Sequence, residues 1–112
     1  MAIYSNITID QGSDFQSEVT VEDAAGGVAD LAGYTAFGQI RKSYQSLTAI
    51  DFVCSIPNPV SGIIKILLTS ATTNALKAGR YVYDIEIQSA TGTKTRVIEG
   101  QVNVTPGVTQ SI

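Results

Sequence analysis

Residues 80–89 read Arg-Tyr-Val-Tyr-Asp-Ile-Glu-Ile-Gln-Ser, an unbroken alternation. Tyr81, Tyr83, Ile85 and Ile87 fall on one side, and Val82, Asp84, Glu86 and Gln88 on the other. A period of two sends successive side chains to opposite faces of a pleated ribbon, so this segment is a strand with one buried face. The same period recurs along the chain. It predicts strands over 5–10, over 14–23 (Phe15, Val19 and Val21 inward) and over 34–42 (Tyr34, Ala36, Gly38 and Ile40 inward). It predicts further strands over 49–56 (Ile50, Phe52, Cys54 and Ile56 inward), over 63–68 and over 94–105 (Ile98, Val102 and Val104 inward). Between them stand turn formers: Gln11-Gly12-Ser13, Gly26-Gly27, Pro57-Asn58-Pro59, Ser61-Gly62 and Ala90-Thr91-Gly92-Thr93. Seven short strands at regular spacing predict an all-β sandwich or barrel.

The remaining segments fit that frame. Residues 69–78 are the only helical candidate, one or two turns capped by Thr69 or Ser70 and stopped by Gly79. Val28 and Leu31, in the loop 24–33, are expected to fold back onto the core. Gly38 weakens a strand interior, so it marks a bulge or a close approach. The 112 residues suit one domain, 1–112, with a core able to hold without staples. A single cysteine rules out an internal disulfide and fits a reducing compartment. No charged leader precedes an apolar run at the N-terminus, so secretion is not expected. The longest apolar stretch, 63–68, is interrupted by Lys65 and too short to span a bilayer.

One local feature narrows the architecture. Ala78-Gly79-Arg80-Tyr81 sets a small-residue turn before a tyrosine that opens the strongest strand. Ig-like sandwiches carry a tyrosine corner at this place, its hydroxyl bonded to upstream backbone. The cysteine pair and the tryptophan of antibody domains are absent. The expected fold is therefore an Ig-like antiparallel β-sandwich of about seven strands, with one short helical turn before the strand at 80–89.

The residue inventory leaves little for catalysis. The chain has no histidine, which removes the commonest general base and metal ligand. One cysteine without histidine excludes the usual zinc sets. Cys54 lacks an imidazole partner and lies in inward phase, so it is read as a buried packing residue. Asp84 and Glu86 are read as cross-strand partners of Arg96 or Lys94 rather than as an acid–base pair. Asp10, Asp14 and Asp23 sit beside turns, where aspartate caps its own backbone. No glycine-rich phosphate loop is present. No enzyme activity, cofactor or metal is expected. Seven Lys and Arg against ten Asp and Glu give a net charge of −3, which does not suit nucleic acid. Charged residues make up 15% of the chain against about 25% ordinarily, which suggests a surface partly covered by partners. Tyr4, Phe37 and Tyr44 do not fall clearly in core phase. They mark either a binding face or, for Phe37 by slight preference, a strand buried on both sides.

Several ordered blocks carry a family resemblance: Asn-Ile-Thr-Ile-Asp-Gln-Gly-Ser-Asp-Phe (6–15), Asp-Leu-Ala-Gly-Tyr-Thr-Ala-Phe-Gly-Gln-Ile-Arg-Lys (30–42), Gly-Ile-Ile-Lys-Ile-Leu-Leu-Thr (62–69), Ala-Gly-Arg-Tyr-Val-Tyr-Asp-Ile-Glu-Ile (78–87) and Arg-Val-Ile-Glu-Gly-Gln-Val-Asn-Val (96–104). Together they resemble small Ig-like virion proteins of tailed bacteriophages, and are similar to the N-terminal domain of phage baseplate upper proteins. The resemblance spans residues 5–108. It implies a non-catalytic adaptor or assembly component of the tail, baseplate or neck, made in the host bacterial cytoplasm. Its implied partners are other virion proteins and symmetric copies of itself, with no nucleic acid and no membrane. A capsid cement protein and a carbohydrate-binding module are the alternatives. Expected contact residues are Tyr4, Ile7, Phe37, Tyr44, Val108 and Ile112, from the N-terminal strand, the outward aromatics and the tail 108–112. The loop 24–33 is a further candidate. Tyr81, Gly79 and Cys54 are expected to be structural.

Overall fold

The computed structural model describes residues 3–23 and 25–108. The strands are β1 (Ile3–Tyr4), β2 (Ile7–Asp10), β3 (Phe15–Thr20), β4 (Thr35–Arg41), β5 (Ile50–Asp51), β6 (Val53–Ser55), β7 (Ile63–Leu68), β8 (Gly79–Gln88) and β9 (Lys94–Thr105). A 3₁₀ turn, Pro59–Ser61, precedes β7, and one α-helix, α1 (Ser70–Ala75), follows it. The larger sheet runs β1-β9-β8-β4-β5, with β2 also on β9, and the smaller runs β3-β7-β6. Inward residues of both sheets meet in one core that includes Ile9, Ile40, Phe52, Ile64, Ile66, Ile85, Val102 and Val104. This is the all-β sandwich that the alternation predicts.

Two of the seven predicted strands differ from the structure, for different reasons: the one over 5–10 is shortened to β2, with β1 standing before it, and the one over 49–56 is broken in two. Ser5 and Asn6 leave the strand because the chain bows over Gly100 between β1 and β2. β1 and β2 both pair with β9 in parallel, Tyr4 beside Glu99 and Ile7 beside Val102. Between them the Ser5 carbonyl lies where a Cβ on residue 100 would stand. The Ser5 amide donates to the Glu99 carbonyl (2.8 Å), and Asn6 Oδ1 accepts from the Gln101 amide (3.0 Å). Buried Tyr83 donates its hydroxyl to the Ser5 carbonyl (2.6 Å) and pins the bow from below.

The stretch 49–56 splits because it changes sheets. β5 pairs with β4, and β6 pairs with β7. Phe52 stands at the crossing, its amide donating to the Gly38 carbonyl (2.9 Å). Its ring packs against Gly38, where an added Cβ would meet it at 3.0 Å and would collide with Ile85. The weak strand interior at Gly38 is thus a close approach that lets Phe52 enter the core between Phe15 and Tyr83.

A β-bulge between β8 and β9 sets Ile85 opposite Ile98 but Glu86 opposite Arg96. The extra residue is Val97, so Val97 and Ile98 are consecutive and both buried, against strict alternation. The helix is shorter than 69–78. Thr69 caps it by accepting from the Thr72 amide (3.3 Å), and it ends at Leu76. Gly79 does not stop it; it opens β8 at φ +142°, a value suited to glycine. Thr73, fully buried on α1, accepts from the Gly12 amide (3.1 Å) and donates to the Ser13 carbonyl (2.8 Å). Gln11 donates to the Leu76 carbonyl (2.8 Å) and accepts from the Gly107 amide (3.1 Å). The turn at 11–13 therefore ties the helix to the end of β9.

Leu31 is buried as expected, but Val28 is not. Val28 bridges Glu22, while the Asp23 carboxylate accepts from the amides of Ala25 and Gly27 and turns the loop outward. Cys54 is half-buried rather than fully buried. No helix among the described residues is long and apolar enough to cross a membrane.

Candidate protein-interaction face

The outer face of the larger sheet gathers residues that lie far apart in the chain. Register sets one row across five strands: Tyr4 beside Glu99, Glu99 opposite Asp84, Asp84 opposite Gln39, Gln39 opposite Asp51. A second row sets Phe37 opposite Glu86 and Glu86 opposite Arg96. Partners in register share a face, so Tyr4 and Phe37 flank the same polar centre. Tyr44, on the loop after β4, lines a shallow groove of about 240 Å³ with Gln39, Arg41, Val82, Asp84 and Arg96. Tyr4, Phe37 and Tyr44 are 60%, 45% and 75% exposed. Phe37 is thus not enclosed by a second layer.

The polar centre is ordered. Arg96 contacts Asp84 (3.2 Å) and Glu99 (3.6 Å). Gln39 donates to Asp51 (2.8 Å) and accepts from Arg41 (3.0 Å). Burial raises the Asp84 carboxyl above its ordinary value, and the Arg96 guanidinium only partly offsets that. Asp84 stays about one-third exposed, held by Arg96, with Phe37 on one side and Tyr44 on the other. Among the described residues no group of three His, Cys, Asp or Glu side chains converges as a metal site.

The other expected contact residues do not join this face. Ile7 is partly buried and packs on the core, because its register with Val102 turns it inward. Val108 is 97% exposed but sits at the end of the sandwich, beside a cleft lined by Gln11, Ser70 and Pro106. Ile112 lies outside the described residues, as do Ala24 and the rest of the tail after Val108. Sequence reasoning missed Gln39, Asp51 and Glu99. Gln39 shares the outward phase of Phe37 and was discoverable on that ground, whereas Glu99 lies beyond the bulge.

Tyr81 donates its hydroxyl to the Lys77 carbonyl (2.8 Å), the geometry of a tyrosine corner, and Lys42 Nζ lies 4.7 Å above its ring. Burial, with the charge of Asp51 second, pushes the Cys54 thiol up to about 11.

No protein-family model matches the chain, and no curated protein does. Solved structures do match. The chain is similar to the Lin-41 filamin domain, with a TM-score of 0.52 at 16% identity over 89% of this chain and 84% of that one. It is also similar to a chain in a structure addressing T cell specificity and activation by the bacterial superantigen toxic shock syndrome toxin-1. There the TM-score is 0.53 at 19% identity, over 90% of this chain and 93% of that one. Likeness at such identity speaks for fold alone, and it agrees with the strand order and the tyrosine corner. The chain therefore has an Ig-like β-sandwich fold.

Proposed function

We propose that this chain is a non-catalytic docking module, and that it serves in the virion of a tailed phage as an adaptor or assembly component of the tail, baseplate or neck. The observation that carries the docking reading is that register sets the exposed Tyr4 and Phe37 on the same sheet face as Asp84 and Arg96, where Tyr44 lines a groove. Exposed aromatics beside an arginine are the composition of protein contact surfaces, where such residues carry most of the binding energy. The virion reading is supported by the resemblance of residues 6–15, 30–42, 62–69, 78–87 and 96–104 to small Ig-like virion proteins. Its partners are then other virion proteins in copies set by the particle's symmetry.

Mass spectrometry of purified particles from the phage or prophage that encodes the chain tests the virion reading. The chain is expected in a fixed ratio to tail or baseplate proteins. A fixed ratio to the major capsid protein instead would assign it as a cement protein. Absence from the particle would overturn the virion reading and leave the docking face to be tested alone. A carbohydrate-binding role would show as glycan binding abolished by alanine at Tyr4, Phe37 or Tyr44.

A further inference from the structure

The smaller sheet ends in an unpartnered strand. β3 is the edge of the order β3-β7-β6, and among the described residues nothing pairs with its other side. In seven-stranded sandwiches of this kind the first strand commonly lies on that edge. Here β1 and β2 have both gone to β9 in the other sheet. The Val21 amide donates to the Gly62 carbonyl (2.7 Å), which sets the phase of the β3–β7 ladder. Residues 15, 17 and 19 then exchange hydrogen bonds with β7, and the N–H and C=O groups of Gln16, Glu18 and Thr20 point away from it. The edge carries no proline or bulge.

Beside the end of this edge lies a crevice of about 410 Å³ between the two sheets. Its apolar walls are Ile3, Val21, Leu31, Tyr34, Ile87 and Val97. A strand added along β3 would present alternate side chains on the inner side, toward that crevice.

Charge selects the occupant. Residues 1–40 hold six acidic side chains (Asp10, Asp14, Glu18, Glu22, Asp23, Asp30) and no Lys or Arg. Residues 41–112 hold seven basic and four acidic, so the two parts carry −6 and +3 and sum to the −3 of the chain. The nearby cations are Lys65, opposite Glu18, and Arg96, already in contact with Asp84 and Glu99. Pairing β3 with β3 of a second copy would bring acidic edge to acidic edge.

We propose that the free edge of β3 and the crevice beside it accept an extended, basic segment of a partner protein as a fourth strand of the smaller sheet. The incoming segment alternates apolar residues, facing the crevice, with Lys or Arg, facing Glu18 and Glu22. This surface shares Arg96 with the aromatic face but lies on the other sheet's edge, and it stands whether or not the virion reading does.

Amide exchange by NMR on the full chain tests it, with a nine-residue peptide alternating valine and lysine as probe and its valine–glutamate counterpart as control. The amides of Gln16, Glu18 and Thr20 exchange freely in the chain alone and slow at least tenfold with the lysine peptide only. Gln16→Pro removes an N–H that the β7 ladder does not use, so it keeps the melting temperature and loses the protection. Glu18→Lys weakens the lysine peptide about tenfold. Four outcomes overturn the proposal: amides already protected in the dilute chain, protection that grows with chain concentration alone, an equal response to both peptides, or no response to either.

Discussion

At Cys54 and Asp84 burial works against charge, and each gives a measurable consequence. The Cys54 thiol titrates near 11 instead of 9.0 because it is half-buried beside β5 and near Asp51. At pH 8 about one thiol in a thousand is ionised, against about one in ten for an unperturbed group, so a disulfide reagent should label the folded chain about 100-fold more slowly than the urea-unfolded chain. Labelling at equal rates would mean an open, reactive thiol. Because the folded value is the higher one, this thiol's contribution to stability is complete below 9.0 and is lost as pH climbs toward 11. Asp84 has the same sign at lower pH. Its folded value lies above 3.8, so its contribution is present below that and is lost as pH rises through the folded value. Asp84→Asn should therefore compare more favourably with the wild type at pH 7 than at pH 3 in thermal melts. The opposite order would show that the Arg96 pair outweighs burial. The inward phase of Cys54 was legible in its neighbours. Its incomplete burial was not, because that depends on how far β6, a three-residue edge strand, is covered.

Among the elements, β8 was legible almost to the residue. A central strand with one face in the core keeps strict alternation, and Gly79–Gln88 does so. The first and fourth strands were legible as strands but not in their pairing. Alternation runs on through Ile50, Phe52, Cys54 and Ile56 while the hydrogen-bonding partner changes from β4 to β7, since periodicity reports facing and not neighbours. Parallel pairing of β1 and β2 with β9 has no local signal either; it depends on Gly100 meeting Ser5 across the sheet. That contact supports two predictions. Tyr83→Phe removes the hydroxyl that holds the Ser5 carbonyl and should cost about 1 kcal/mol in denaturant unfolding. Gly100→Ala puts a methyl group into the Ser5 backbone and should cost about 1–3 kcal/mol. It should also release the β1 amides to hydrogen exchange while β8 stays protected. If Gly100→Ala leaves β1 protected, the bow does not depend on that glycine.

For the molecule as a whole, the aromatics were singled out one by one and their meeting was not foreseeable. Tyr4, Phe37 and Tyr44 come from the first strand, the middle of β4 and the loop after it. Only the order β1-β9-β8-β4, with its bulge, brings them to one face. Ile7 lies away from that face for the same reason: its partner Val102 turns it to the core. The chain then divides its surface between an aromatic face on one sheet and an acidic open edge on the other. The most direct test of the docking account replaces Tyr4, Phe37 and Tyr44 together by serine. Occupancy of the variant in purified particles is then measured beside its melting temperature. The account predicts an unchanged melt, because all three side chains are exposed, and an occupancy lower by about tenfold or more. Full occupancy with an unchanged melt would contradict it.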